Sequence, residues 1–158
     1  MKKYRIEIKW AIIFVLTLLL WMFLEKIAGL HDEHIEKHSI VTNFVAIPAI
    51  IIYVLALLDK RRNDYDGKMT YKQGVISGLI ITAIITIFSP LTQYLTTTFI
   101  TPQYFPKMIE YVVKEGKMTQ PEAEGYFHLK NYITQVIIST PVMGIITTLV
   151  VAIFTRRK

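Results

Sequence analysis

The charged residues of this chain fall into clusters, and between the clusters lie four long stretches without any charge. The first covers residues 10–24 and resumes at 27–30 beyond Glu25 and Lys26; the others cover 39–58, 73–106 and 131–155. An α-helix rises ~1.5 Å per residue, so about 20 apolar residues cross a ~30 Å hydrocarbon core. The second and fourth stretches have that length, the third exceeds it, and the first is marginal. A soluble chain of 158 residues has no interior wide enough to hide four such helices. Lipid, in turn, offers backbone groups no partner, so each crossing segment must satisfy its own hydrogen bonds. The expectation is an all-α polytopic membrane protein of one domain, with four transmembrane helices near 10–29, 39–58, 73–99 and 131–154.

The placement of the cations gives an orientation. Lys2, Lys3, Arg5 and Lys9 precede the first stretch, Lys60, Arg61, Arg62, Lys68 and Lys72 separate the second from the third, and Arg156, Arg157 and Lys158 follow the fourth. Against these twelve cations stand four acids, Glu7, Asp59, Asp64 and Asp66, whereas the two remaining loops are net acidic. Cytoplasmic loops keep the positive charge, so both termini are expected in the cytoplasm. The net charge of +6 is thereby topogenic, and nucleic acid is not an expected partner. No Ala-x-Ala site follows the first span, which reads as a retained signal-anchor helix. Cysteine is absent, which excludes disulfides and thiolate chemistry.

Local signals place the elements. Gly29 is a helix stop, and Asp32 is the expected cap of a helix running straight into the second span. Pro48, inside that span, predicts a kink. The run Asn63-Asp64-Tyr65-Asp66-Gly67 is a turn, and Thr70 with Gln73 has the spacing of a capping box that starts the third helix. Gly67-Lys68-Met69-Thr70 recurs as Gly116-Lys117-Met118-Thr119, again followed by a capping box, Thr119 with Glu122; it reads as one helix-start device used twice. Segment 103–130 is too long for a structureless loop. Phe105, Met108, Ile109, Val112 and Val113 recur at helical spacing, so an external helical hairpin is expected to rest on the bilayer with its apolar stripe inward. Residues 122–130 are expected to run directly into the fourth span.

Small residues repeat every four positions: Gly74, Gly78, Thr82 and Thr86 on the third span, and Thr140, Gly144, Thr148 and Ala152 on the fourth. Such faces let helices approach closely, within the bundle or between copies. Ser89-Pro90 predicts a bend with Gln93 facing the gap, opposite Gln135 and Ser139 on the fourth helix. Buried amides need partners, so a Gln93–Gln135 contact is expected. Glu25 is the one acid expected inside the membrane zone, near the outer end of its helix, as an interfacial anchor or as a ligand or proton site.

The densest chemistry is His31-Asp32-Glu33-His34-Ile35-Glu36-Lys37-His38. On a helix, His34 and His38 would share one face at a spacing that presents two imidazoles to one metal, with His31, Asp32, Glu25 or His128 completing the set. All four histidines are expected on the outer face, as a zinc site, a proton sensor or a solvated polar cap. No Gly-rich phosphate loop, nucleophile elbow or His-Glu-x-x-His pattern is present.

Taken in order, several segments resemble the bacterial membrane family catalogued as domain of unknown function number four-one-nine-nine. They are Leu24-Glu25-Lys26 with 29–34, 43–48, 67–74 with Ser77-Gly78, Ser89-Pro90, and the closing 152–158. The resemblance covers nearly the whole chain and implies an integral inner-membrane protein of Gram-negative bacteria; it implies no catalytic or binding residues. The expected role is a non-enzymatic accessory or scaffold subunit that packs against a second copy or a membrane-protein partner through the small-residue faces. The alternatives are a small oligomeric transporter using Glu25 and the polar residues of the third and fourth helices, and a metal-dependent membrane enzyme built on the histidine loop.

Overall fold

The computed structural model describes residues 4–157; Lys2, Lys3 and Lys158, counted above in the basic clusters, lie outside them. The described chain is helical and forms no strand beyond one isolated bridge between Met69 and Arg157. Four helical stretches, Arg5–Ile27, Ile35–Asp64, Tyr71–Ile100 and Leu129–Thr155, are long and apolar enough to cross a membrane.

Helix α1 spans Arg5–Ile27 and starts earlier than the uncharged run suggests, taking Glu7 and Lys9 into the helix. It can do so because neither charge stands alone: Glu7 pairs with Lys60 and Lys9 with Asp59. The second stretch is composite. Helix α2 (Ile35–Val41) tightens into a 3-10 turn, Thr42–Val45, before α3 (Ala46–Asp64). The change of winding precedes Pro48, which lies in the first turn of α3 and has no N–H to donate to the Phe44 carbonyl of the 3-10 turn before it.

Helix α4 (Tyr71–Leu95) opens on the expected capping box, with Thr70 accepting from the Gln73 N–H and Gln73 reaching back to the Thr70 N–H. Helical structure continues through Pro90. The proline cannot donate to the Thr86 carbonyl, and the Ser89 hydroxyl supplies that bond at 2.9 Å. The winding then loosens into a π turn, Thr96–Ile100.

Helices α5 (Tyr104–Lys114) and α6 (Gln120–Tyr126) form a hairpin whose turn includes Gly116 at φ +65°. The apolar stripe does not lie free for a bilayer. Met108 and Val112 are buried with Ala123 and Phe127 of the returning limb and with Ile35 at the start of α2, so the hairpin has its own small core. Nor does it run straight into α7 (Leu129–Thr155). His128 is extended there, and its Nδ1 caps the new helix by accepting from the Asn131 N–H at 3.3 Å.

The small-residue faces meet inside the chain, along α4 and α7. A Cβ at Gly78 would lie 2.5 Å from Thr148 Cγ2, and one at Gly144 would lie 2.4 Å from Thr82 Cγ2. Gly74 faces Ala152 in the same register, so each step of four along α4 meets a step of four back along α7. The hydroxyls of Thr82, Thr86, Ser89, Thr92 and Thr97 bond to carbonyls of their own helix. Gly74, Gly78 and Thr82 of α4 thus make a packing seam with Ala152, Thr148 and Gly144 of α7, while Thr86 and Thr140 are half-buried.

Packing is uneven along the bundle. Near the α1 N-terminus, Ala56, Leu57, Met69, Ile81 and Ala152 are fully buried in one core. The Arg61 guanidinium donates to the Thr155 carbonyl, and the Arg157 N–H donates to the Met69 carbonyl, tying the end of α7 to the α3–α4 turn. Toward the hairpin the four long helical stretches diverge around a cavity of about 560 Å³.

Candidate metal centre

At the hairpin end of the bundle, α1 ends in a Schellman turn. The Leu30 N–H reaches the Glu25 carbonyl at 3.0 Å, the Gly29 N–H reaches Lys26, and Gly29 takes φ +72°. The reversal folds residue 31 back over the last turn of α1. His31 is thereby buried against Glu25, with its Nε2 3.1 Å from Glu25 Oε2. Helix α2 delivers the third group: His38 Nε2 lies 3.4 Å from the same oxygen. Ligand atoms of Glu25, His31 and His38 all lie within 4.8 Å of one another, and Glu25 is 3% exposed.

A shell of further contacts holds these three groups. Trp21 Nε1 donates to Glu25 Oε1 at 2.6 Å, which turns the other carboxylate oxygen toward the histidines. Tyr104, at the start of α5, places its hydroxyl 3.4 Å from His38 Nδ1 and its ring edge-on to His31. The hydroxyl is within hydrogen-bond reach of Nδ1, and where the imidazole donates there its Nε2 keeps a free lone pair. Burial pushes the Tyr104 hydroxyl above the usual tyrosine range, with Tyr132 adding to the effect, so it is a neutral hydrogen-bonding group. Lys107 pairs with Asp32, latching the hairpin over the site.

The satisfaction of these groups is incomplete. His38 Nε2 and His31 Nδ1 are buried and make no hydrogen bond; the former is near Glu25 but out of line for one. Buried polar atoms without partners are uncommon in proteins and call for an explanation. A bound ion is one such explanation. Ligands at 2.0–2.1 Å from a tetrahedral zinc are separated by about 3.3 Å, close to the two imidazole–carboxylate distances here.

The structure thus joins three residues of the histidine reading, Glu25, His31 and His38, and separates three, His34, His128 and Asp32. His34 stands at the N-terminal boundary of α2, exposed, so it does not share a helical face with His38. His128 is the exposed cap of α7. Asp32 caps nothing and binds Lys107 instead. Glu25 is a buried group at the centre of the cluster rather than an anchor reaching outward. Of the other polar residues, Gln93 donates to its own helix at Thr97 Oγ1 (3.0 Å), and no Gln93–Gln135 hydrogen bond forms. Gln93 and Ser139 line the cavity between the helices, and Gln135 does not.

The sequence reading missed a second buried carboxylate. Glu7 is 1% exposed, 2.8 Å from Lys60 Nζ and 2.9 Å from the Ser77 hydroxyl, and Lys60 also bonds Asp64. The available signal was that Glu7, Ala11 and Phe14 share a helical face, although Glu7 reads in sequence as one more terminal charge.

Compared with known proteins, the chain matches one family model, described as "Protein of unknown function (DUF4199)", over residues 9–157. No curated protein and no solved structure matches it. The match covers almost the whole chain, which therefore belongs to that family.

Proposed function

We propose that this chain is a multi-pass protein of the bacterial inner membrane, with both termini in the cytoplasm, that holds a divalent transition-metal ion at its outer face. The observation that carries the metal reading is the convergence of two imidazole nitrogens on one oxygen of a buried carboxylate, with His38 Nε2 lacking any hydrogen bond. Two neutral imidazoles and one carboxylate suit Zn²⁺, and this set leaves a coordination position free, as in catalytic zinc sites. The membrane reading is supported by the broad apolar surface, including Leu16, Ile87 and Phe154, which are more than half exposed. The distribution of cations supports the orientation.

A scaffold role through the small-residue faces is less favoured, because Gly74, Gly78, Thr82, Gly144 and Thr148 are buried between α4 and α7. A polar transport path through α4 loses support for a related reason: its hydroxyls are engaged by their own helix.

The deciding experiment measures bound metal by mass spectrometry in the untagged protein. Near-stoichiometric zinc is expected in the wild type and in a His34→Ala/His128→Ala control, and its loss in His31→Ala/His38→Ala. Metal retained without His31 and His38, or absent from the wild type after zinc is supplied, overturns the reading. The chain has no cysteine, so orientation can be read from single introduced thiols. A membrane-impermeant maleimide should label His34→Cys in intact cells and Arg62→Cys only after lysis.

A further inference from the structure

The cavity between the helices has a shape and chemistry of its own. All four long helical stretches line it, and none of its lining residues carries a charge. Along α1 it runs from Phe14 to Met22, and along the third stretch from Ile85 to Thr96. At 1.5 Å per residue these spans are about 12 and 16 Å, roughly half of a ~30 Å hydrocarbon core. The cavity is therefore about one leaflet deep.

Its two ends differ. The floor, at mid-bundle, is largely apolar, with Phe14, Ile85 and Met143 beside Thr147 and Tyr53, whose hydroxyl is engaged by Thr82. The mouth is polar, with Asn43, Gln93, Thr96 and Ser139. The amide nitrogens of Asn43 and Gln93 are engaged by the Ser39 carbonyl and by Thr97, which leaves their amide oxygens as acceptors. The Ser139 hydroxyl bonds to no other described residue and is available as a donor. The mouth also lies one helical turn below the histidine–carboxylate cluster, since Met22 precedes Glu25 by three positions and Thr42 follows His38 by four.

We propose that this cavity binds one molecule of an uncharged, lipid-soluble compound with an oxygen-bearing head and a single apolar tail. The tail fills the floor, and the head bonds to Asn43, Gln93 and Ser139 beneath the cluster. The volume is that of a small-molecule site rather than of a packing defect. An ionic head is disfavoured, because no lining residue neutralises it and burying an unpaired charge is costly. The compound is a membrane lipid with a neutral head or a free quinone or alcohol.

Binding of this compound rests on the membrane reading and not on the metal. The probes are a decyl-substituted benzoquinone and decyl phosphate, which carry the same tail on a neutral and a charged head. They are titrated into the detergent-purified chain and read by native mass spectrometry. Saturable binding of one quinone per chain is expected, with the phosphate at least tenfold weaker. Ala49→Phe, which fills the cavity, should weaken quinone binding at least tenfold, and Gln93→Leu severalfold. Ile87→Phe, on the exposed face, should leave it unchanged. The His31→Ala/His38→Ala chain should still bind, so a failed metal site and a failed cavity are distinguishable. A neutral lipid that co-purifies with the wild type and is absent from Ala49→Phe identifies the membrane as the source, whereas an empty chain that takes up the quinone identifies a free compound. Uptake that never saturates, equal binding by Ala49→Phe, equal affinity for the phosphate, or exclusion of the probe by a second copy of the chain overturns the proposal.

Discussion

Helix α1 carries a buried glutamate near each end, and the two are handled in opposite ways. Glu7 and Glu25 are separated by about 27 Å along the axis, nearly a hydrocarbon thickness, and both are almost fully buried. Glu7 meets a lysine at 2.8 Å, so its charge is cancelled by a group that stays protonated at physiological pH. The bundle around it is closed, with Leu57, Met69 and Ile81 fully buried. Glu25 meets two imidazoles, and the bundle below it is open. The same residue at similar burial is tied to an ammonium at one end and to two imidazoles at the other. What separates them is the partner's chemistry, not the carboxylate.

The sharpest break of this comparison is to neutralise each acid in the metal-free protein. Removing one member of a buried ion pair costs about 3–5 kcal/mol, and Glu7→Gln should fall at the low end because Asp64 stays beside Lys60. Glu25→Gln removes a buried acceptor without stranding a permanent charge and should cost about 1–3 kcal/mol. Thermal unfolding in detergent measures both, and equal losses would mean that the ends do not differ. Next in size, Gly78→Ala drives a methyl group into Thr148 at the closed end and should cost about 1–3 kcal/mol, with recovery in a Gly78→Ala/Thr148→Ala chain. At the open end, Tyr104→Phe leaves His38 Nδ1 without its partner. Zinc affinity should fall about 10–100-fold, with little change in the stability of the metal-free protein; an unchanged affinity would remove Tyr104 from the site.

The smallest effect belongs to the hairpin. The Thr119 backbone N–H and hydroxyl hold the Glu122 carboxyl below its ordinary value of 4.5. Its contribution is therefore present above the unfolded value and lost as pH falls through the lower folded one. Hydrogen exchange at Gln120–Tyr126 should quicken slightly in that acid range, and Glu122→Gln should flatten the dependence.

Much of the architecture was legible because its causes are local. Uncharged length marked the four long helical stretches, Thr70 with Gln73 marked the start of α4, and the four-residue spacing of Gly74, Gly78 and Thr82 marked a packing face. What could not be read was anything that required a partner distant in sequence. Glu7 reads as a terminal charge until Lys60 is placed against it. The α4 face shows no preference for α7 over a second copy until Thr148 is seen against Gly78. The histidine cluster needed such a partner as well. Its reading assumed one helix through His34 and His38, but the Schellman turn at Gly29 delays α2 to Ile35 and sends His31 back to Glu25 instead.

The reciprocal fit of α4 against α7 has a consequence for descent. Each glycine of the seam is matched to the threonine it admits, 78 with 148 and 144 with 82. A lineage that enlarges one position must shrink its opposite number. Across the relatives of this chain, the two members of each pair should therefore vary together, large for small, leaving a record of the contact in sequences whose structures have never been determined.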